Sequence, residues 1–587
     1  MNTDIENLFK DKVLGHPAGL FVLFFTEMWE RFSYYGMRAL LVLFFTASLL
    51  EDGWGWPREW AFAIFGTYTS LVYLSTMVGG YFADNVIGIR KAVVVGALLM
   101  TLGHACMAVE TSFFIYMGLG LLVVGSGFFK PNMTSIISEM YKGKEEKKDG
   151  AYTIFYMGVN AGAFLGILLC GYLGEKIGWS WGFGVAGIFM LFGLLQFWLA
   201  QGIFGQIGKE PKNKNNDIID ELISEENEAE KGRNPFTGIQ KVLIGIASIL
   251  GMLWIFNDPM SKISEGAINV FPFEFSGISG STIAIIAAFL IFIALLVIRI
   301  PKYNPILRDR MLAVIFFAFV TIFFWAIFEQ SPSSLTVFAR DYTDRVLEGN
   351  AGFIFKIVNS LMTIVPLGII TWVLLMLFKK TFAKYAWSNI FLGMSFIIIW
   401  GIAIWMLNEE FQKDSTEIPA SWFSVLNSLY IITLAPLFSK WWESKYNPNA
   451  NMKWAIGMGL LGLGMAVIAI GAGGIEPGAK TASVSIIWLV LVYLFHTMGE
   501  LCVSPVALSY VSKLVPGRMI AFMFGIWYLA VAIGMKLAGV FAESSEAIAE
   551  EKGLSSFFWL LTFVSFGLAI LSAVLYPVIR KLMHGVK

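Results

Sequence analysis

Three cysteines and four histidines are all that 587 residues offer for disulfide or metal chemistry. Cys106, Cys170 and Cys502 fall inside apolar runs and the histidines are scattered, so neither a disulfide framework nor a metal cluster is expected. Charge is scarce too. Asp, Glu, Lys and Arg make up 14% of the chain, 42 of each sign, with no net charge. A soluble domain of this size needs far more charge on its surface. No basic tract is present to meet a nucleic acid. No nucleophile–base set or phosphate-binding loop stands out, which argues against an enzyme.

What fills the space is apolar: 57% of residues are hydrophobic and the mean hydropathy is +0.70. Runs of about 20 such residues recur along the whole length, each able to cross a hydrocarbon core of about 30 Å. The chain therefore reads as an all-α polytopic membrane protein with about sixteen transmembrane helices. Spans are expected at 18–48, 60–82, 90–109, 112–140, 151–173 and 181–204, then at 240–257, 279–300, 309–339, 353–378 and 386–407. The last five are expected at 421–441, 453–472, 482–511, 519–541 and 556–582. Residues 209–233 are charged and poor in apolar side chains, as a mobile cytoplasmic linker would be. Roughly three times as many Lys and Arg fall in alternate loops on the amino-terminal side as on the other, which places both termini in the cytoplasm. No cleavable leader stands out, because the first apolar run is a full span.

Six spans before the linker and ten after it fit the plan of the major facilitator fold, two six-helix bundles rocking about a midplane site, with two helix pairs added. The expected organisation is a cytoplasmic tail at 1–17, a first bundle at 18–204, and the linker with an inserted pair at 205–308. A second bundle at 309–582 follows, interrupted by a further pair at about 341–418, and then a cytoplasmic tail at 583–587.

Charges inside spans point to function, since each costs roughly 3 kcal/mol at mid-bilayer even on lenient scales. Glu27, Glu30, Arg31 and Arg38 occupy the first span, and with Tyr34 and Tyr35 they fall within roughly 140° of one helix face. Phe25, Phe32, Gly36 and Leu43 take the other side. Such a helix turns a polar front to a wet cavity. Lys130 lies roughly 16 Å of helix rise before the basic cluster at Lys142, too deep to snorkel, so it is expected to pair with Glu27 or Glu30. Lys536, nearer a span end, is expected to snorkel or to pair with Glu543. Glu329 and Glu500 lie deep in spans of the second half. Gly158 and Gly162 form a small-xxx-small pair for close helix approach, and Asn160 between them either bonds a neighbouring helix or lines the cavity. Buried charges of both signs from both halves allow proton binding and ion-pair breaking to be coupled.

Several strings in order carry a family resemblance: ExxERFxYYG at 27–36, GGYFADNVIG at 79–88, GxGxxKPN at 125–132, FYMGVNAG at 155–162, FEQ at 328–330 and GELxxSP at 499–505, with Asn427. Together they resemble the proton-dependent oligopeptide transporter family of the major facilitator superfamily, in its bacterial type, over essentially the whole chain outside the linker and 341–418. The resemblance implies symport of di- and tripeptides with protons, driven by the proton gradient without a cofactor. The implied partners are the peptide, protons and membrane lipid, with no nucleic acid, for a monomer in a bacterial inner membrane. It also implies roles. Glu27, Glu30 and Arg31 would couple protons, with Lys130 exchanging partners and Glu329 carrying a proton. Arg38 would bind the peptide carboxylate and gate with Glu329. Glu500 would take the peptide amino group, helped by Asn160 and Asn427, while Lys130, Tyr35 and Tyr73 touch the peptide. Trp527 would be a pocket wall or a core tryptophan, and Asp84 and Arg90 would belong to a gating loop. Two departures stand out: Ser428 follows Asn427 where a proline is familiar, and Gly66 stands where the animal branch has a histidine, so coupling must rest on carboxylates. Relatives that move nitrate leave another anionic or zwitterionic cargo as the alternative, and a non-transporting sensor as a second.

Overall fold

The computed structural model describes residues 8–209, 211, 234–514 and 517–585, so the linker expected at 209–233 lies outside it except for Lys209 and Pro211. Among the described residues, fifteen helices are long and apolar enough to cross a bilayer. Helix α1 (Ala18–Thr46) matches them in length but carries Glu27, Glu30, Arg31 and Arg38. It is a central helix: only Arg31, Tyr35 and Thr46 escape full burial. Its charges therefore face protein and cavity, not lipid.

Around it stand α2 (Arg58–Phe82), α3 (Ile89–Met107), α4 (Ser112–Met140), α5 (Lys148–Lys176) and α6 (Trp179–Ala200). α1 packs on α5 and α6, and glycine makes the α5 contact possible. A Cβ on Gly162 would lie 2.2 Å from the Met28 carbonyl oxygen, and one on Gly166 2.2 Å from that of Phe32. The Gly158–Gly162 pair thus works as a groove for α1, extended one turn by Gly166.

After the linker come α7 (Gly238–Ile263) and α8 (Gly280–Arg299). The second bundle opens with α9 (Pro305–Phe328) and the short α10 (Ser334–Asp341). One span was expected over 309–339, but the helix stops at Glu329 and restarts at Ser334. Pro332 has no N–H to give and disfavours the helical region for the residue before it, which favours a break there. The inserted α11 (Gly349–Thr381) and α12 (Ala386–Gln412) follow. The bundle is completed by α13 (Val425–Glu443), α14 (Ala450–Gly471), α15 (Ile487–Leu514), α16 (Gly517–Lys552) and α17 (Leu554–Val574). The expected 556–582 helix is interrupted at Leu575, and a short α18 (Tyr576–Leu582) follows with Pro577 in its first turn.

The two inserted pairs sit in different places. α7 lies along α2, where Thr67 Oγ1 donates to the Ile255 carbonyl at 3.1 Å. α11 and α12 leave the second half of the chain yet dock on the first bundle. Ser388 Oγ donates to the Gln196 carbonyl of α6 at 2.7 Å, and the Phe396 ring lies 5.7 Å from both Phe25 and Trp29 of α1. The base of this pair is tied by a two-residue antiparallel ladder, Val346–Leu347 against Thr416–Glu417.

The bundles meet along α2 and α16, where Gly66 and Gly539 touch: a Cβ on Gly66 would come 2.9 Å from the Gly539 Cα. Toward the end of the molecule away from the amino terminus, the distal end, ion pairs add to this seam. Arg58 of α2 reaches Asp341 at 2.7 Å and Glu546 of α16 at 2.9 Å, and Arg340 donates to Thr46 Oγ1 at 2.8 Å. The distal end is closed.

Gly162→Ala would drive a methyl into the Met28 carbonyl, and overpacking of this kind costs about 1–3 kcal/mol. A clear fall in the thermal unfolding midpoint in detergent is expected. Gly120→Ala, with nothing within 4 Å of its Cβ position, is the control and should leave the midpoint in place.

Candidate functional site

A cavity of about 150 Å³ lies between the bundles. The first bundle contributes Tyr35 and Arg38 from α1, Tyr73 from α2, and Tyr156 and Asn160 from α5. The second contributes Trp325, Phe328 and Glu329 from α9, Asn427 from α13, and Tyr493, His496 and Glu500 from α15. Each bundle thus brings charge to one shared space.

One ion pair crosses it. Arg38 Nη1 lies 3.0 Å from Glu329 Oε2 and donates to Oε1 at 3.3 Å. The guanidinium also sits over Tyr35, 5.1 Å from the ring centroid, and 5.7 Å from that of Tyr34. Glu329 caps the carboxyl-terminal end of α9, where the helix dipole is negative and gives a carboxylate no support. Arg38 supplies that support from the other bundle. Across the cavity, Glu500 Oε2 accepts from Asn427 Nδ2 at 2.9 Å, and the same amide reaches Thr497 Oγ1 at 3.1 Å. Glu500 has no cation partner among the described residues.

Two turns before Arg38 on α1, Arg31 holds both acids of its own helix. Its Nε lies 2.7 Å from Glu27 Oε1 and 3.1 Å from Glu30 Oε2. Glu27 Oε2 and Glu30 Oε1 are buried without a hydrogen-bond partner. Lys130 does not pair with either, contrary to the expectation from depth. Its Nζ rests 3.7 Å from the centroid of the Tyr34 ring and 5.7 Å from that of Tyr73. Arg31 already bridges the two carboxylates, and Tyr34, one turn beyond Glu30, offers the ammonium an aromatic face instead. Lys130 is thus poised next to the acids without being committed to one.

The remaining candidates fall as follows. Asn160 lines the cavity but donates to the Tyr156 carbonyl of its own helix at 2.9 Å, so this bond does not join two helices. Lys536 neither snorkels nor pairs with Glu543; its counter-charge is Asp258 of the inserted α7. Trp527 is not among the cavity-lining residues and packs edge-on against Trp454 with centroids 6.0 Å apart. The pocket-wall option for Trp527 gives way to the core one. Arg90 is buried and donates to the Gln201 and Gly205 carbonyls at 2.6 and 3.1 Å, covering the exposed carbonyls after α6. Those bonds stay within the first bundle. Asp84 lies in the Ala83–Ile87 turn that follows α2.

Sequence reasoning assigned no role to Tyr156, Trp325, Phe328, Tyr493 or His496. For the last two a signal existed: Tyr493, His496 and Glu500 recur at helical spacing of three and four on one face. Trp325 and Phe328 precede Glu329 by one turn or less on α9, but an aromatic stripe reads equally well as core.

The chain resembles known proteins over most of its length. A family model described as the POT family matches residues 90–233 and 394–560. The chain is 32% identical over 533 residues to "Peptide transporter YePEPT" of Yersinia enterocolitica, covering 90% of this chain and 87% of that protein. It is 28% identical to a "Di-/tripeptide transporter" of Lactococcus lactis subsp. cremoris, covering 99% and 100%. Among solved structures, a peptide transporter POT in complex with sulfate superposes with a TM-score of 0.70 at 28% identity, covering 100% of this chain and 99% of its own. A variant of a peptide transporter POT in complex with alafosfalin gives 0.71 at 26% identity, again covering 100% and 99%.

The two tryptophans make a direct test of which side chain is wall and which is core. Trp527→Ala should cost about 3–5 kcal/mol of stability, as large-to-small core changes do. Trp325→Ala, which opens onto existing space, should cost clearly less. Thermal unfolding of the purified variants compares them, and equal losses would contradict the placement.

Proposed function

The chain belongs to the POT family, and from that membership we propose that it is a secondary transporter carrying di- and tripeptides with protons by alternating access. The observation that carries the reading is the cavity's charge layout. Arg38 stands on the first bundle and Glu500 on the second, with Glu329 holding Arg38 across the gap. A zwitterionic peptide offers one group to each wall. Its carboxylate takes the place of Glu329 on Arg38, and its ammonium meets Glu500, which Asn427 orients. Tyr35, Tyr73 and Asn160 border the space where the peptide backbone would lie.

Proton coupling follows from the same substitution. When the peptide carboxylate engages Arg38, Glu329 loses its counter-charge at a helix end that does not favour an anion, and a proton takes the place of Arg38. Glu27, Glu30 and Arg31 form a second exchange point beside Lys130, whose cation–π seat lets it approach the acids as protons arrive. The proton gradient is the driving force and no cofactor is required. The Lys and Arg bias supports an orientation with both termini in the cytoplasm. The protein would work as a monomer in a bacterial inner membrane. Glu500 weighs against nitrate or another inorganic anion as cargo, because such an ion gains nothing from a carboxylate in the wall.

Proteoliposomes with an inward proton gradient and negative inside potential should accumulate radiolabelled dialanine above equilibrium, competed by unlabelled tripeptide. Glu500→Gln should raise the KM on the order of tenfold or more. Glu329→Gln should lose gradient-driven accumulation while keeping peptide exchange. Unchanged peptide affinity in Glu500→Gln would remove the peptide reading.

A further inference from the structure

A second buried charge cluster lies outside the cavity, on the seam between the bundles. Lys536 of α16 has a side chain only 2% exposed and is ion-paired with Asp258 of α7. Its Nζ also donates across the seam to Thr67 Oγ1 of α2 at 3.0 Å. Thr67 in turn donates to the α7 backbone at Ile255. Lys262, one turn after Asp258, lies 2.5 Å from it and pairs with Glu543 of α16. Two acids and two bases thus join three helices, one from each bundle and one from the inserted pair.

This arrangement is costly to keep for packing alone. A buried ion pair is often no better than apolar side chains of the same shape, whereas an unpaired one is strongly destabilising. Lys536 sits one turn before Gly539, where α2 and α16 touch at Gly66. Without Asp258 its ammonium would face Lys262, with Glu543 left to serve both bases. The Lys536 bond to Thr67 is a direct polar bridge between bundles at this level, and its cation is held in place by an acid that belongs to neither.

We propose that Asp258 is a positioning residue for transport: it orients Lys536 toward Thr67 and so makes the inserted pair α7–α8 a latch on the α2–α16 seam, closing the distal end. The inference rests on the alternating-access reading, in which that seam must part for the cavity to open distally. Removing the latch shifts the resting equilibrium toward the distally open state without touching the cavity.

The test is a distance measurement that needs no substrate. Leu50, 97% exposed in the turn between α1 and α2, and Glu551 at the distal end of α16 are changed to cysteine in a Cys106→Ser background and spin-labelled in nanodiscs. Pulsed dipolar spectroscopy then reads the open-to-closed ratio. Asp258→Asn is expected to raise it about tenfold, the weight of one charge-assisted hydrogen bond. Thr67→Val, which strands no charge, should do the same with its unfolding midpoint retained, and it decides the matter if Asp258→Asn does not fold. Asp258→Asn combined with Lys536→Met should match Lys536→Met alone, because Asp258 acts through Lys536. An unchanged ratio in Thr67→Val, or additive effects in the double variant, would overturn the latch. Dialanine uptake by the unaltered protein is scored separately: its failure with the distance shift intact would remove the peptide reading and leave the latch standing.

Discussion

The ion pair between Arg38 and Glu329 is the constraint on which the rest of the site depends. It joins helices of different bundles inside the cavity they share. So deeply buried, its partners cannot simply part, since a buried charge left alone costs about 3–5 kcal/mol. The bundles can separate there only if something replaces each partner. A ligand carboxylate suits Arg38 and a proton suits Glu329, so on the proposed reading the geometry itself makes peptide and proton arrive together. Glu500 completes the requirement from the far wall, where an amide rather than a cation holds it and the place for a positive charge stays free.

Arg38 acts only if α1 stays where it is, and a helix with four intramembrane charges is not held by hydrophobicity alone. Its polar front is held by Arg31, which pairs with Glu27 and Glu30, and by the aromatic faces and Glu329 around Arg38, with part of the acids' hydrogen-bonding capacity left unmet. On another side the glycines of α5 let the backbone sink into a groove too narrow for any side chain. Phe396, on a helix inserted 370 residues later, closes over Phe25 and Trp29. Dispersion on the back and charge exchange on the front are thus divided between opposite faces of one helix.

Much of this was legible in the chain. Helix count, the polar front of α1, the glycine groove and the intramembrane acids follow from periodicity and from the cost of burying charge. Less legible were contacts that depend on which helices become neighbours. Depth pointed to a pairing of Lys130 with Glu27 or Glu30, but it did not show that Arg31 had already claimed both, so the lysine settles on Tyr34 instead. Lys536 was weighed against Glu543 on its own helix because Asp258 lies 278 residues away, on a pair whose seat no local pattern encodes. Trp527 and Trp325 share one hydrophobic signature; only packing separates the core residue from the wall.

The inserted pairs show that position in the chain does not decide allegiance in the fold. α7 ties itself to both bundles at once, through Thr67 on one side and Lys536 on the other. α11 and α12 are rooted in the second half but lie on the first, with Glu410 accepting from Tyr172 of α5 at 2.8 Å and Lys176 of α5 reaching Glu417 at their base at 2.7 Å. Arg345, just before the strand entering the pair, shares that same Glu417 at 2.9 Å. If the bundles rock, α11 and α12 must travel with α1, α5 and α6, because their buried polar and aromatic contacts lie there. The connection leaving the pair is tied to the same bundle: the Ala420 and Ser421 N–H groups donate to Glu175 of α5 at 2.7 and 2.9 Å, and Trp422 Nε1 donates to the Leu168 carbonyl at 2.9 Å. Anchored in this way, the pair leaves the helix carrying the coupling charges undisturbed on its back when the bundles move.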